Sequence, residues 1–226
     1  MWLNYRKTAR NLLILFYQLP IRRKRIIKRY LRNHEEPKLH IGCGKNPLKG
    51  WLNTGISPRE CRAGVYLDAG KPFSFPDASF NYVYSEHLIE HLTYRQALNM
   101  LEESYRVLKP GGVMRVATPD LRFLIGLYQD PAKPIHQRYI DYSAKRGGIL
   151  PSPVYIINHF HTAWGHKIIY DKETLSALLE KAGFKNLRLC EVGHSNHIAL
   201  NGIEGHTKTL PAEYNLLETM VFEAEK

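Results

Sequence analysis

The feature that most constrains this chain is an alternation that begins at residue 38. Short apolar runs end in glycine, a carboxylate or a small polar residue, and stretches with apolar residues at three- and four-residue spacing lie between them. Lys38-Leu39-His40-Ile41 runs into Gly42-Cys43-Gly44, and Trp51 to Ile56 forms a second run. Val65-Tyr66-Leu67 stops at Asp68. Phe80 to Tyr84 leads into Ser85-Glu86-His87, and Gly112 to Ala117 ends at Thr118-Pro119. Before that fifth run, Thr93 and Gln96 form a capping box and Leu98, Leu101, Tyr105 and Leu108 recur at helical spacing. Lys109-Pro110-Gly111-Gly112 then stops the helix. Another helix starts near Asp171, places Leu175, Leu178, Leu179 and Ala182 on one face and ends at Gly183. The strand-like Leu187–Cys190 and Thr219–Glu223 follow it. Strands alternating with helices predict a doubly wound α/β domain with a largely parallel sheet covered on both faces. In such sheets ligands bind at the carboxyl ends of the strands, near the switch point, so the residues that close the runs share one edge. Residues 120–166 interrupt the alternation with Pro, Gly, Tyr and His and are expected to cap that edge on the substrate side.

Charge divides the chain differently. Ten of the 32 Lys and Arg fall in residues 1–33, which hold no Asp or Glu; the other 22 stand against 21 acids. Ten of the net +11 therefore lie in residues 1–33, within a basic helical extension of residues 1–37, and residues 38–226 form a nearly neutral domain. Pro20 splits the extension into two helices. Its apolar run, Leu12–Tyr17, is too short to span a bilayer, and no cleavage site follows it. Ile26, Ile27, Tyr30 and Leu31 at helical spacing among Lys and Arg leave two readings, an anionic membrane surface or docking on the domain. Nucleic acid is the weaker expectation, since charge runs without a motif are poor support for it. Cys43, Cys61 and Cys190 form neither a disulfide framework nor a zinc pattern, which points to a reducing, cytoplasmic setting, peripheral to the inner face of a membrane if the extension binds lipid.

Gly42-Cys43-Gly44 follows a strand but lacks the third glycine of the dinucleotide fingerprint. Its context is more specific. Asp68 ends a strand; then come Pro72 to Val83 with its Phe75-Pro76-Asp77-Ala78-Ser79-Phe80 core, Ser85 to Leu92, and Leu108-Lys109-Pro110-Gly111-Gly112. This ordered series resembles the class I S-adenosylmethionine-dependent methyltransferases, particularly the branch grouped as methyltransferase type 11, over about residues 38–125 and more weakly over 166–190. The resemblance implies a seven-stranded Rossmann-like sheet with an antiparallel C-terminal strand, and S-adenosylmethionine as cofactor. It implies cofactor contacts at Gly42, Cys43, Gly44, Ile56, Asp68, Ala69, Ser85 and Glu86, with no metal required. Gly55 stands where family members carry the acid that binds the ribose, leaving Asn53 or Ser57 to replace it, a weaker affinity, or a non-catalytic binding module.

The histidines carry the remaining chemistry. His87, at the fourth strand's end, is the candidate base for a hydroxyl acceptor, because imidazole titrates near neutrality. His87-Leu88-Ile89-Glu90-His91 also matches the inverted zinc-protease pattern, with two imidazoles at i and i+4, although a helix is needed to bring them together. His159, His161 and His166 lie near the expected cap, either as substrate contacts or as packing. His194, His197 and His206 carry only a structural reading. The acceptor expected is a small molecule, a sugar or a lipid-linked compound, with RNA as the alternative.

Overall fold

The computed structural model describes residues 19–57, 64–206 and 210–226. The first of the two helices expected around Pro20 lies outside these residues. The second is α1 (Pro20–Asn33), followed by β1 (Lys38–Ile41), β2 (Leu52–Gly55), β3 (Val65–Tyr66) and β4 (Phe80–Glu86). After a 3₁₀ turn at Ile89–His91 come α2 (Tyr94–Val107), β5 (Leu108–Pro119), α3 (Leu121–Gln129), α4 (Pro134–Gly147) and α5 (Pro153–Thr162). The chain closes with α6 (Lys172–Lys181), β6 (Lys185–Cys190), α7 (Ala212–Glu218) and β7 (Thr219–Glu225).

All seven strands form one sheet in the order β3-β2-β1-β4-β5-β7-β6. The pairs from β3 to β5 are parallel, and β7 runs antiparallel to both β5 and β6. This is the Rossmann-like arrangement expected. The chain winds outward from β1 in one direction and then returns to β4, so the switch point lies between β1 and β4, where Ile41 is in register with Ser85.

Helix α2 begins as its sequence dictates. The Thr93 hydroxyl accepts the N–H of Gln96 and the Gln96 side chain reaches back to the Thr93 N–H, which completes the capping box. Its buried stripe is Ala97, Met100, Leu101, Ser104 and Val107. Leu108, expected on that stripe, instead opens β5 and is buried in register with Phe80, because the parallel ladder captures the backbone before the Pro-Gly-Gly segment. Helices α1, α2 and α6 cover one face of the sheet with a single apolar core that includes Leu39, Ile41, Val83, Met114 and Val116. Helix α1 contributes Ile27, with Ile26, Tyr30 and Leu31 partly buried against the same core. Its apolar stripe is thus docked on the domain, while Lys24, Arg25, Lys28, Arg29 and Arg32 face outward. Among the described residues no helix is long and apolar enough to cross a membrane.

The opposite face is polar at its centre and is covered by the segment 191–206. Arg115 of β5 is fully buried there. It pairs with Glu204 at 2.5 Å and Glu223 at 2.7 Å, and donates to the carbonyls of His194 and Glu191. Two carboxylates and two carbonyls use the guanidinium's fixed fork of donors, which lysine could not match. Helices α3, α4, α5 and α7 form a separate apolar cluster around Leu124, Tyr139, Ile140, Ile156 and Phe160.

His40 of β1 lies buried on the polar face beside Tyr84 and Trp51. Its Nδ1–H donates to Asn53 Oδ1 at 3.1 Å, since that oxygen can only accept. Burial pushes the imidazole down to about 4, against the partial support of Asn53. The folded state therefore binds fewer protons than the unfolded state between pH 6.5 and about 4, and stability falls as pH drops through that window. For this group the loss between pH 7 and pH 5 is about 2 kcal/mol. Urea titrations at both pH values should show the advantage of the wild type over His40→Gln shrinking by that amount at pH 5; an unchanged difference would refute the buried neutral imidazole.

Candidate active site

The strand ends converge on one edge as the parallel topology requires. Gly42 and Gly44 follow β1 in left-handed conformation, at φ of 69° and 49°. A Cβ at Gly42 would come within 2.7 Å of Leu88, so this glycine lets the turn close over the next strand's exit. At Gly44 a Cβ would meet nothing nearer than the Gly42 carbonyl at 3.9 Å, so that face of the loop is open. Cys43 is buried between them, its N–H donating to the Thr54 carbonyl of β2 at 2.8 Å. Ile56, just past β2, is 65% exposed. Asp68, two residues past β3, accepts the Gly70 N–H and pairs with Lys71 on the surface, and Ala69 beside it is buried. Ser85 is fully buried near the end of β4, and its Oγ has no hydrogen-bond partner among the described residues.

Asn53 is not available to replace the missing ribose acid. Its amide donates to the Leu48 and Trp51 carbonyls while its oxygen accepts from Leu48 N–H and His40, so the side chain is consumed in fixing the turn before β2.

At His87 the chain leaves β4 abruptly. This residue has φ of 47°, a left-handed conformation that a side chain with Cβ adopts at a cost of about 1–3 kcal/mol. Its N–H is held by the Ala117 carbonyl of β5 at 2.9 Å. The turn brings the imidazole to Glu90, where Nδ1 lies 3.2 Å from Oε1. Glu90 is completely buried, and its other oxygen accepts the Thr118 hydroxyl at 3.1 Å. Burial alone would lift this carboxyl, but the His87 contact outweighs it and holds Glu90 below its usual range. Burial likewise opposes a charged His87, and Glu90 again wins, so His87 titrates above an ordinary histidine. Because His87 lies outside the short 3₁₀ turn, His87 and His91 do not share a helix face, and the zinc-protease reading loses the geometry it needs.

His87, Glu90, His91 and Pro119 form the floor of a cavity of about 700 Å³. Its other walls come from the helical cluster, with Tyr139 and Arg146 of α4, Phe160 and His159 of α5, and Trp164 and His166 beyond. The 166–168 segment is fastened to the floor, since the N–H groups of Lys167 and Ile168 both donate to the Glu90 carbonyl. Of the histidines expected near the cap, His159 and His166 line the cavity and His161 is exposed.

Several residues of this site escaped the sequence reading, His206, Glu218 and Tyr139 among them. His206, given only a structural role, lies tilted against His87 with ring centroids 4.1 Å apart, and its Nε2 is 3.3 Å from a Glu218 carboxylate oxygen. Glu218 in turn receives the Tyr139 hydroxyl. What brings His206 here is Glu86, whose carboxylate accepts the N–H of Gly205 at 2.9 Å and of His206 at 3.0 Å. Glu86 and Glu90, four residues apart, therefore work in different places, one anchoring the 205–206 backbone and the other His87.

The family model described as a methyltransferase domain matches residues 17–189. Ubiquinone/menaquinone biosynthesis C-methyltransferases from two strains of Neisseria gonorrhoeae are each 30% identical to the chain over 128 residues. Those alignments cover 54% of this chain and 46% of each relative, so the chain spans about half the length of the curated relatives it matches. Among solved structures, an S-adenosylmethionine-dependent methyltransferase from Archaeoglobus fulgidus aligns with a TM-score of 0.49 at 18% identity, covering 90% of this chain and 92% of the other. One from Mesorhizobium loti aligns with a TM-score of 0.49 at 16% identity, covering 84% and 90%.

Replacing Glu86 with alanine removes both acceptors from Gly205 and His206. Thermal unfolding should show a loss of about 1–3 kcal/mol, and amide exchange at these two residues should accelerate. Unchanged exchange would mean that the segment is held elsewhere.

Proposed function

The chain belongs to the S-adenosylmethionine-dependent methyltransferase family, and from that premise we propose that it methylates a small-molecule acceptor received in the cavity beside His87. The observation that carries this reading is the cavity itself. At about 700 Å³ it has the size of a small-ligand pocket, and its aromatic and apolar walls carry convergent polar groups, among them five histidines, two glutamates and Arg146. The site is a walled cavity and not a basic groove, and the chain's excess positive charge lies in residues 1–33.

The strand-end residues fit the cofactor. A buried Ser85 hydroxyl without a partner stands in register with the exit of β1, and the open face of Gly44 leaves room that a side chain would fill. In this reading Gly42, Cys43 and Gly44 carry its amino-acid and ribose portions, Ile56, Asp68 and Ala69 meet its adenine, and Ser85 and Glu86 lie toward its sulfur. Bound there, the cofactor supplies a methyl group already activated by the positive charge on sulfur.

The chain's own task is to hold the acceptor in line, exclude water and take up a proton. Helices α4 and α5 supply the cavity's outer wall, which restricts the approach of water. For the proton, His87 is built as an oriented base. Glu90 can only accept when ionised, so in the neutral imidazole Nδ1 carries the hydrogen and Nε2 keeps its lone pair. That Nε2 has no hydrogen-bond partner among the described residues, and His87 lines the cavity. It is the atom we assign to accept the acceptor's hydroxyl proton.

Calorimetry with S-adenosylmethionine tests the cofactor site. Asp68→Ala should weaken binding by about tenfold or more, the effect of losing one good polar contact; no binding to the wild type would sink the reading. Incubating the protein with methyl-labelled cofactor and separated cell fractions tests the acceptor. Label should enter the small-molecule fraction, and label in RNA would overturn the proposal. With the labelled fraction as substrate, His87→Asn, which tolerates the left-handed backbone, should lower kcat by about 10²–10⁴ with cofactor affinity preserved.

A further inference from the structure

Glu90, His91 and His166 each bring a ligand atom to within 4.8 Å of the other two, and all three line the cavity. We propose that this trio binds a divalent transition-metal ion whose open coordination positions face the cavity.

The sequence pattern pointed to His87 and His91 as the imidazole pair. The fold substitutes His166 for His87. The turn at residues 87–91 sends His87 toward His206 and leaves His91 edge-on to His166, with ring centroids 4.7 Å apart. This placement is enforced by the backbone. The Lys167 N–H donates to the Glu90 carbonyl at 2.7 Å, so His166 is held one residue from a fixed point on the turn that carries both other ligands.

Two imidazoles and one carboxylate suit zinc, iron, cobalt or manganese and are a poor set for calcium or magnesium, which prefer oxygen. Three protein ligands are the number found in catalytic centres, where the remaining positions go to water or substrate. Ligand atoms bound at about 2.0–2.2 Å around a tetrahedral ion stand about 3.4 Å apart, so from separations of at most 4.8 Å the trio closes by no more than about 1.4 Å. His91 and His166, both only partly buried, can supply that movement, while Glu90 is fixed.

Two further observations point to an occupant. His166 Nδ1, on a residue that lines the cavity, is buried with no hydrogen-bond partner among the described residues. Native interiors seldom leave such atoms unpaired without a ligand or ion to explain them. The Glu90 carboxylate also has the outer contacts that orient a metal ligand, the Thr118 hydroxyl and the His87 Nδ1–H, and it retains lone pairs for an ion. An ion held here would present its open side to an oxygen-bearing acceptor, a hydroxyl or a carboxylate.

Ion binding is read without turnover, so its failure and that of the acceptor proposal are separable. Tag-free, metal-stripped full-length protein is titrated with Co²⁺ and followed by visible absorption and calorimetry. One equivalent should bind with the intense bands of a low-symmetry site. His91→Gln and His166→Gln should each weaken binding by at least about tenfold, whereas His161→Gln, exposed and outside the cavity, should not. Both ligand variants change partly exposed side chains, and circular dichroism establishes that they fold. Absence of binding by the folded wild type overturns the site, and so does binding that survives both ligand variants.

Discussion

A carboxylate shut away from water is the constraint around which this site is arranged. An ionised Glu90 with no solvent contact carries a desolvation penalty of several kcal/mol unless its lone pairs are used. The chain uses them with the Thr118 hydroxyl from β5 and the His87 imidazole from the turn after β4. The same residue's carbonyl fastens the segment that follows α5. Side chain and backbone of one residue thus tie together the two central strands, the base and the cavity wall. Loss of the charge would leave His87 in a left-handed conformation with only the His206 ring against it.

Much of the scaffold was legible in the sequence because it rests on local chemistry. Alternation between short apolar runs and helical stripes located the seven strands, and the capping box at Thr93 and Gln96 fixed the start of α2 to the residue. Leu108 was misread because helix and strand meet there without a break, and a leucine suits either until the ladder partner, Phe80, is known. Gly42 carried a steric reason that the sequence could not display, since the atoms it makes room for belong to Leu88.

The site was legible only in part, for a related reason. Strand-end residues can be found by counting along the chain, and His87 was placed that way. The partners that define its chemistry come from far away in sequence. His206 reaches it because Glu86 binds the backbone at 205–206, and Asn53, a plausible ribose ligand by position, is spent on a turn that only the folded chain reveals. The zinc-like pattern at residues 87–91 shows the same limit. A motif assumes a helix, and the positive φ at His87 removes it and lets His166 enter instead.

The covering segment at 191–206 has a consequence for the order in which this protein can become functional. Glu86 meets its backbone partners 119 and 120 positions later, and Arg115 reaches Glu204 and Glu223 across 89 and 108. Contacts of such separation form late, because the intervening chain must first be ordered. A nascent chain halted after β6 would own six of the seven strands and the whole Gly42–Gly44 turn, yet lack His206, Glu218 and the counter-charges of Arg115. Competence would then arrive only once residues 191–226 have joined the fold, so termination before them should yield a protein without a finished site and not a slower enzyme.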